Sequence, residues 1–252
     1  MSCTKRYIIV VDQNLSKGEK GDKGDPGDNG LGALPLSTDD VLYGPTNQTL
    51  SEILAELLYL ALEITSFTGT SQYEKGQVLT SIFLSWGYNK AIQTQSITGT
   101  GVVPPTLLVG DTSKTVTLSN VSTDTVITLT ADDVIGDGHA AKTATLELKF
   151  LNKIYWGKAV IGTINSAFIL SLQGELKQNR IKSFVEDTGL NEYIWFCSPV
   201  AYGAATFIAD GFVGGFQLET TISFTNASGH TEDYYVYRSV NHNLGSINID
   251  VI

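Results

Sequence analysis

Cysteine and histidine are scarce in this chain. Two cysteines, Cys3 and Cys197, occur in 252 residues. They cannot build a disulfide framework, and neither falls in a metal-binding spacing. Cys197 lies in the strand-like "YIWFCS", the setting of a buried free thiol. The three histidines, His139, His230 and His242, each sit in a turn-like context, with no HExxH and no pair at ligand spacing. Charged residues make up 17% of the chain, and 16 basic against 26 acidic residues leave a net charge of −10, which disfavours non-specific binding to nucleic acid. No apolar run reaches the 18 or so residues of a membrane-spanning helix, so no membrane insertion is expected. The opening "MSCTKRYIIVVDQ" has a short apolar run closed by Asp12, too short for a signal peptide, which reads as a protein folded in a cytoplasm.

Recognisable chemistry is also lacking. "DDVIGDG" (Asp132 to Gly138) is acidic but misses the calcium-loop spacing. "GFVGGF" (Gly211 to Phe216) fails GxGxxG and reads as a bulge or tight turn. No GxSxG surrounds a serine. The expectation is a non-enzyme with no catalytic residue, metal or cofactor.

What the chain does have is a period of three. In "GEKGDKGDPGDNG", Gly18, Gly21, Gly24, Gly27 and Gly30 recur at every third position. Only glycine fits at the axis of a collagen triple helix, so residues 18–32 read as collagen-like triplets. Lys20-Gly21-Asp22 and Lys23-Gly24-Asp25 place opposite charges where neighbouring chains can bridge. The alternative is a flexible Gly-rich linker. A turn-rich joint, 33–48, follows.

"TLSEILAELLYLALEITSF" then carries Leu50, Ile53, Leu57, Leu60, Ile64 and Phe67 at alternating steps of three and four, an a/d seam. Thr49 and Glu52 form a capping box. The spacing predicts an amphipathic helix over 49–67, serving either as a threefold clamp or as cover for a β-domain of its own chain. With the triplets beside it, the clamp is the sharper reading, and the five glycines and six seam residues are the candidate trimerisation set.

From about Gly69 the period becomes two. In "QVLTSIFLSW", Val78, Thr80, Ile82, Leu84 and Trp86 share a face. In "KTATLELKF", Leu146, Leu148 and Phe150 do. Short strands with frequent turns predict an all-β organisation: an immunoglobulin-like β-sandwich over 68–152 with Trp86 on its inner face, then a C-terminal β-domain over 153–252. "KSFVEDTGLN" reads as a loop or helical turn before "EYIWF". Tyr155, Trp156, Tyr235 and Tyr237 are candidate stacking faces for a glycan, set against core packing. The β-prone Tyr7, Ile8, Ile9, Val10 and Val11, in segment 1–17, are a candidate anchor that docks on another protein, since a free apolar edge is one soluble proteins avoid.

The order of these parts, with "LSWGYNK" (Leu84 to Lys90), "FLNKIYWG" (Phe150 to Gly157) and the ending "NASGHTEDYYVYRSVNHNLGSINIDVI", resembles collagen-repeat virion fibre proteins, head or tail, of crAss-like phages infecting Bacteroidetes. The resemblance covers about residues 18–252 and implies a homotrimer projecting from the particle with its β-domains outward; it carries over no catalytic residue. The expected function is a virion-surface fibre, assembled in the host cytoplasm. It would attach to capsid or tail proteins through its N-terminus, the head narrowly favoured, and present β-domains for weak multivalent adhesion to host surfaces or glycans. The alternatives are a tail-fibre receptor-binding protein, a glycan depolymerase and a cellular collagen-like surface protein.

Overall fold

The computed structural model describes residues 42–43, 48–49, 53–54, 58–133 and 139–252. The collagen-like triplets, the candidate anchor Tyr7–Val11 and the seam residues Leu50 and Leu57 lie outside the described residues. The chain divides into two units, Met1–Ala61 and Leu62–Ile252. In the first, β1 (Leu42–Tyr43) pairs with β2 (Gln48–Thr49), and Ile53 and Leu54 are helical.

The second unit is mainly β, built from several antiparallel sheets. It begins by correcting the expected helix, whose last residues form a strand, β3 (Ile64–Gly69). Ile64-Thr65-Ser66-Phe67-Thr68 is β-branched or aromatic at every position but Ser66, the composition that suits a pleated surface. Residues three apart would face opposite ways on a regular strand. Here the pairing with β5 (Leu79–Tyr88) shifts register between Ile64 and Ser66, and the extra residue turns Ile64 and Phe67 to the same side. Both pack against the core, so neither is available to a helical seam. Leu60 lies in irregular chain, 61% exposed.

β5 is the centre of a three-stranded sheet, between β3 and β7 (Ser113–Val121). Ile82, Leu84 and Trp86 alternate along it and are buried, as the spacing of "QVLTSIFLSW" predicts. Val78 and Thr80 do not follow, because the pairing with β7 slips between Leu79 and Ser81. The Trp86 indole N–H donates to Gln95 Oε1 at 2.8 Å, the kind of partner a buried indole needs. The same core takes Ile97 from β6 (Thr94–Gly99), Ile127 and Leu129 from β8 (Thr125–Asp132), and Leu148 and Phe150 from β9 (Lys142–Val160).

β9 is 19 residues long. Up to Phe150 its burial alternates, with Glu147 exposed and Lys149 half-buried. From Leu151 to Gly157 every residue but the half-buried Lys153 is buried. That half is covered on both faces. It continues an antiparallel run with β12 (Glu192–Pro199), β16 (Thr231–Ser239) and β15 (Phe216–Thr225). One face of the run packs on the sheet β11 (Lys182–Thr188), β17 (Gly245–Val251), β13 (Phe207–Ala209) and β14 (Phe212–Val213). The other is closed by the short helix Ser166–Leu170 and its flanks through Ile164, Phe168, Ile169 and Leu172. Asn165 caps that helix, its side chain accepting from Phe168 N at 2.9 Å. "KSFVEDT" is the strand β11 and not a loop: Phe184, Glu186 and Thr188 face inward while Ser183, Val185 and Asp187 face out.

The boundary expected between 152 and 153 falls inside β9, and Leu62–Ile252 is one compact unit. Its hydrophobic clusters lie on either side of that point, Ile82 to Phe150 in one and Ile154 to Val251 in the next. Two further strands pair with β9. β4 (Gln72–Glu74) is parallel to it along Lys149–Leu151, and β10 (Gln173–Lys177) is antiparallel along Asn152–Trp156.

Phe196 is fully buried and touches Phe184 and Phe207 across the layers. Phe196→Ala should destabilise the unit by about 3–5 kcal/mol, read as a lowered urea midpoint; a change below about 1 kcal/mol would contradict this packing.

Candidate functional site at the strand junction

A cluster of buried and half-buried polar side chains lies where the two cores meet. β12 ends at Pro199, which pairs with Tyr234 of β16. Beyond it, β9 and β16 have no strand between them, and their side chains meet instead. Asn152, 3% exposed, donates from Nδ2 to Glu232 Oε2 at 2.6 Å. Lys75 Nζ stands 3.3 Å and His230 Nε2 3.4 Å from the same oxygen. On the neighbouring side, Glu74, 5% exposed, is paired with Lys153 Nζ at 3.0 Å through Oε2, and accepts from the Tyr155 hydroxyl at 3.4 Å through Oε1. Tyr234 donates its hydroxyl to Lys153 O at 2.7 Å. Burial first, and then the Glu74 carboxylate, push the Tyr155 phenol well above its ordinary range, so it remains a donor. Burial raises Tyr234 as well.

Three turns bring these groups together. Lys75 begins the β4–β5 turn, and its backbone is held at both ends: its N–H donates to Leu151 O at 2.9 Å, and its carbonyl accepts from Asn226 Nδ2 at 2.8 Å. Asn226 also organises the β15–β16 turn, its Oδ1 accepting from Ser228 N and His230 N. In the β7–β8 turn, Asp124 accepts from Phe150 N at 2.8 Å and lies 3.5 Å from Lys149 Nζ. Gly76 permits the close approach, with φ of 91° and an added Cβ only 2.8 Å from His230 Cβ. A cleft of about 280 Å³ runs between Lys75, Gly76, Ser122, Asp124, Phe150 and His230. A second of about 460 Å³ lies beyond the same turn, lined by Thr100, Asn120, Ser122, Thr123 and Asp124.

Three of the four candidate glycan-stacking aromatics are packed internally. Tyr155 lies against Phe224 and Tyr234. Trp156 is 9% exposed, with the Lys182 ammonium 4.1 Å from its ring centroid and Phe184 beside it. Tyr237 packs on Phe207 and accepts from Ala205 N with its hydroxyl. These three present no face to a sugar; Tyr235 is half-buried beside Tyr237. Core packing, the alternative set against the stacking reading, describes Tyr155, Trp156 and Tyr237, because both faces of this sheet are covered. Cys197 is a buried free thiol, raised by burial. Asp133, in the acidic segment, pairs with Lys90. Among the described residues, no group of three or more His, Cys, Asp or Glu is placed to hold a metal.

Sequence reading did not find Glu74, Lys75, Asn152, Lys153 or Glu232. One signal was present: Asn152-Lys153 interrupts the apolar "FLNKIYW", and a polar pair inside a buried strand needs partners. As placed, the carboxylates of Glu74 and Glu232 are tied by lysines, tyrosine and amide, and the arrangement fastens β4, β9 and β16 together. Comparison of the chain with protein-family models, curated proteins and solved structures gives no match.

Gly76→Ala adds a methyl group where the backbone is left-handed and His230 is in contact. It should destabilise the unit by more than about 1 kcal/mol, measured by thermal or urea unfolding. A neutral or stabilising effect would show that the turns do not meet as described.

Proposed function

We propose that this chain is a structural fibre subunit of a virus particle, a homotrimer without enzymatic activity whose β-rich unit is displayed for adhesion. The observation that carries the reading is the glycine at every third position from Gly18 to Gly30, because that period has a steric use only when three chains share an axis. Collagen-like triplets followed in sequence by a β-rich unit suit a stalk and a displayed head. The order of parts and the resemblance to phage fibre proteins support it further. In this reading the sheet β3-β5-β7 and the strands β6, β8 and β9 form an immunoglobulin-like sandwich, and the layers around β12 follow it in the chain. The N-terminal residues attach to the capsid, with the tail as the second choice, and many copies convert weak contacts with host surfaces or glycans into useful avidity.

Sedimentation equilibrium of the full-length chain at low micromolar concentration should give three times the chain mass of 27.1 kDa, and antibody labelling should decorate the particle surface. A monomer or dimer, or particles without label, would refute the proposal.

A further inference from the structure

Three side chains with no part in the fibre reading, Asn152, Lys75 and His230, meet at a single oxygen of Glu232. Glu232 Oε2 accepts from Asn152 Nδ2 at 2.6 Å and lies 3.3 Å from Lys75 Nζ. The register explains why the amine and the carboxamide are neighbours. β4 is parallel to β9, Glu74 is aligned with Leu151, and Lys75 N donates to Leu151 O. The next position places Lys75 beside Asn152. Both partners are held in place. The Lys75 backbone is bonded at its N–H and its carbonyl, and the Asn152 side chain is buried and oriented by Glu232. Such an arrangement, an amine, a carboxamide carbon and a proton carrier on three neighbouring segments of the fold, is set up for amide transfer.

We propose that Lys75 and Asn152 become joined by an intramolecular amide bond after the chain folds, with Glu232 moving the protons. The Lys75 ammonium gives a proton to the Glu232 carboxylate. The freed amine lone pair adds to Cγ of Asn152, forming the N–C bond. Glu232 returns its proton to the departing amide nitrogen, the Cγ–Nδ2 bond breaks, and the proton lost from the attacking nitrogen leaves with it. The products are a secondary amide and one ammonium ion. Glu232 is unchanged and nothing is oxidised or reduced. Fixed geometry supplies the high effective concentration that such a reaction needs, and a carboxylate in hydrogen-bond reach of both nitrogens supplies general acid–base catalysis. The Lys75 side chain is 39% exposed while Asn152 is buried, so the ammonium has a way out to solvent. The bond would lock the short parallel strand β4 onto β9 at the junction of the two cores.

The test is the intact mass of the full-length protein after incubation at neutral pH, with a tryptic map. The wild-type chain should be lighter than its sequence by one ammonia. Its map should contain one branched peptide carrying the segments around Lys75 and Asn152, with no cleavage after Lys75. Lys75→Arg and Glu232→Gln should each show the full sequence mass. A wild-type chain at full mass overturns the proposal. So does ammonia loss without the branched peptide, as a succinimide at Asn29-Gly30 would give, and so does an unimpaired cross-link in Glu232→Gln.

Discussion

The continuity of β9 is the constraint on which the rest of the second unit depends. Lys142–Val160 is one strand, yet its two halves serve different layers. The first half pairs with β8 and buries one face, contributing Leu148 and Phe150 to the first core. The second pairs with β12 and β10 on opposite edges and buries both faces, Ile154 and Trp156 toward β11 and β17, Tyr155 toward the short helix. A strand cannot bend freely between two such environments while its ladder is intact. The two cores are therefore fixed relative to each other through the backbone itself and not through a linker.

That continuity creates a problem at the changeover, and the polar junction resolves it. Where β12 stops at Pro199, β9 and β16 lose the strand between them, and buried polar groups left there would be costly without partners. Asn152 and Glu232 satisfy each other, Lys75 and His230 close on the same carboxylate, and Glu74 takes Lys153 and the Tyr155 hydroxyl. An ion pair with one half-exposed partner adds little net stability. Its consequence here is geometric: it specifies where the β4–β5 and β15–β16 turns must lie, and Gly76 lets them touch.

Strands of both halves could be read from the chain, "YIWFCS" among them, but the buried faces only in the first, for a physical reason. β5 and the start of β9 have one wet face, so Ile82, Leu84, Trp86 and Leu148 appear in alternation. β12 is buried on both faces, and "YIWFCS" has no period to read. In β11 the inward Glu186 and Thr188 break the expected apolar alternation and disguise a strand as a loop. At Ile64 and Phe67 a spacing of three, which suits a helix, is accommodated on one side of a strand by a bulge, an event that no periodicity argument anticipates. The junction was the least legible part, since Lys75 and Glu232 stand 157 residues apart and only the fold brings them to one oxygen.

The direct test of this account is native-state hydrogen exchange along β9. If one continuous strand couples both cores, slowly exchanging amides in its two halves, such as Leu148 and Trp156, should open with the same free energy and respond alike to denaturant, as members of one cooperative unit do. Independent opening of the two halves, one far cheaper than the other, would contradict it and would mean that the chain folds here as two domains that merely share a run of backbone.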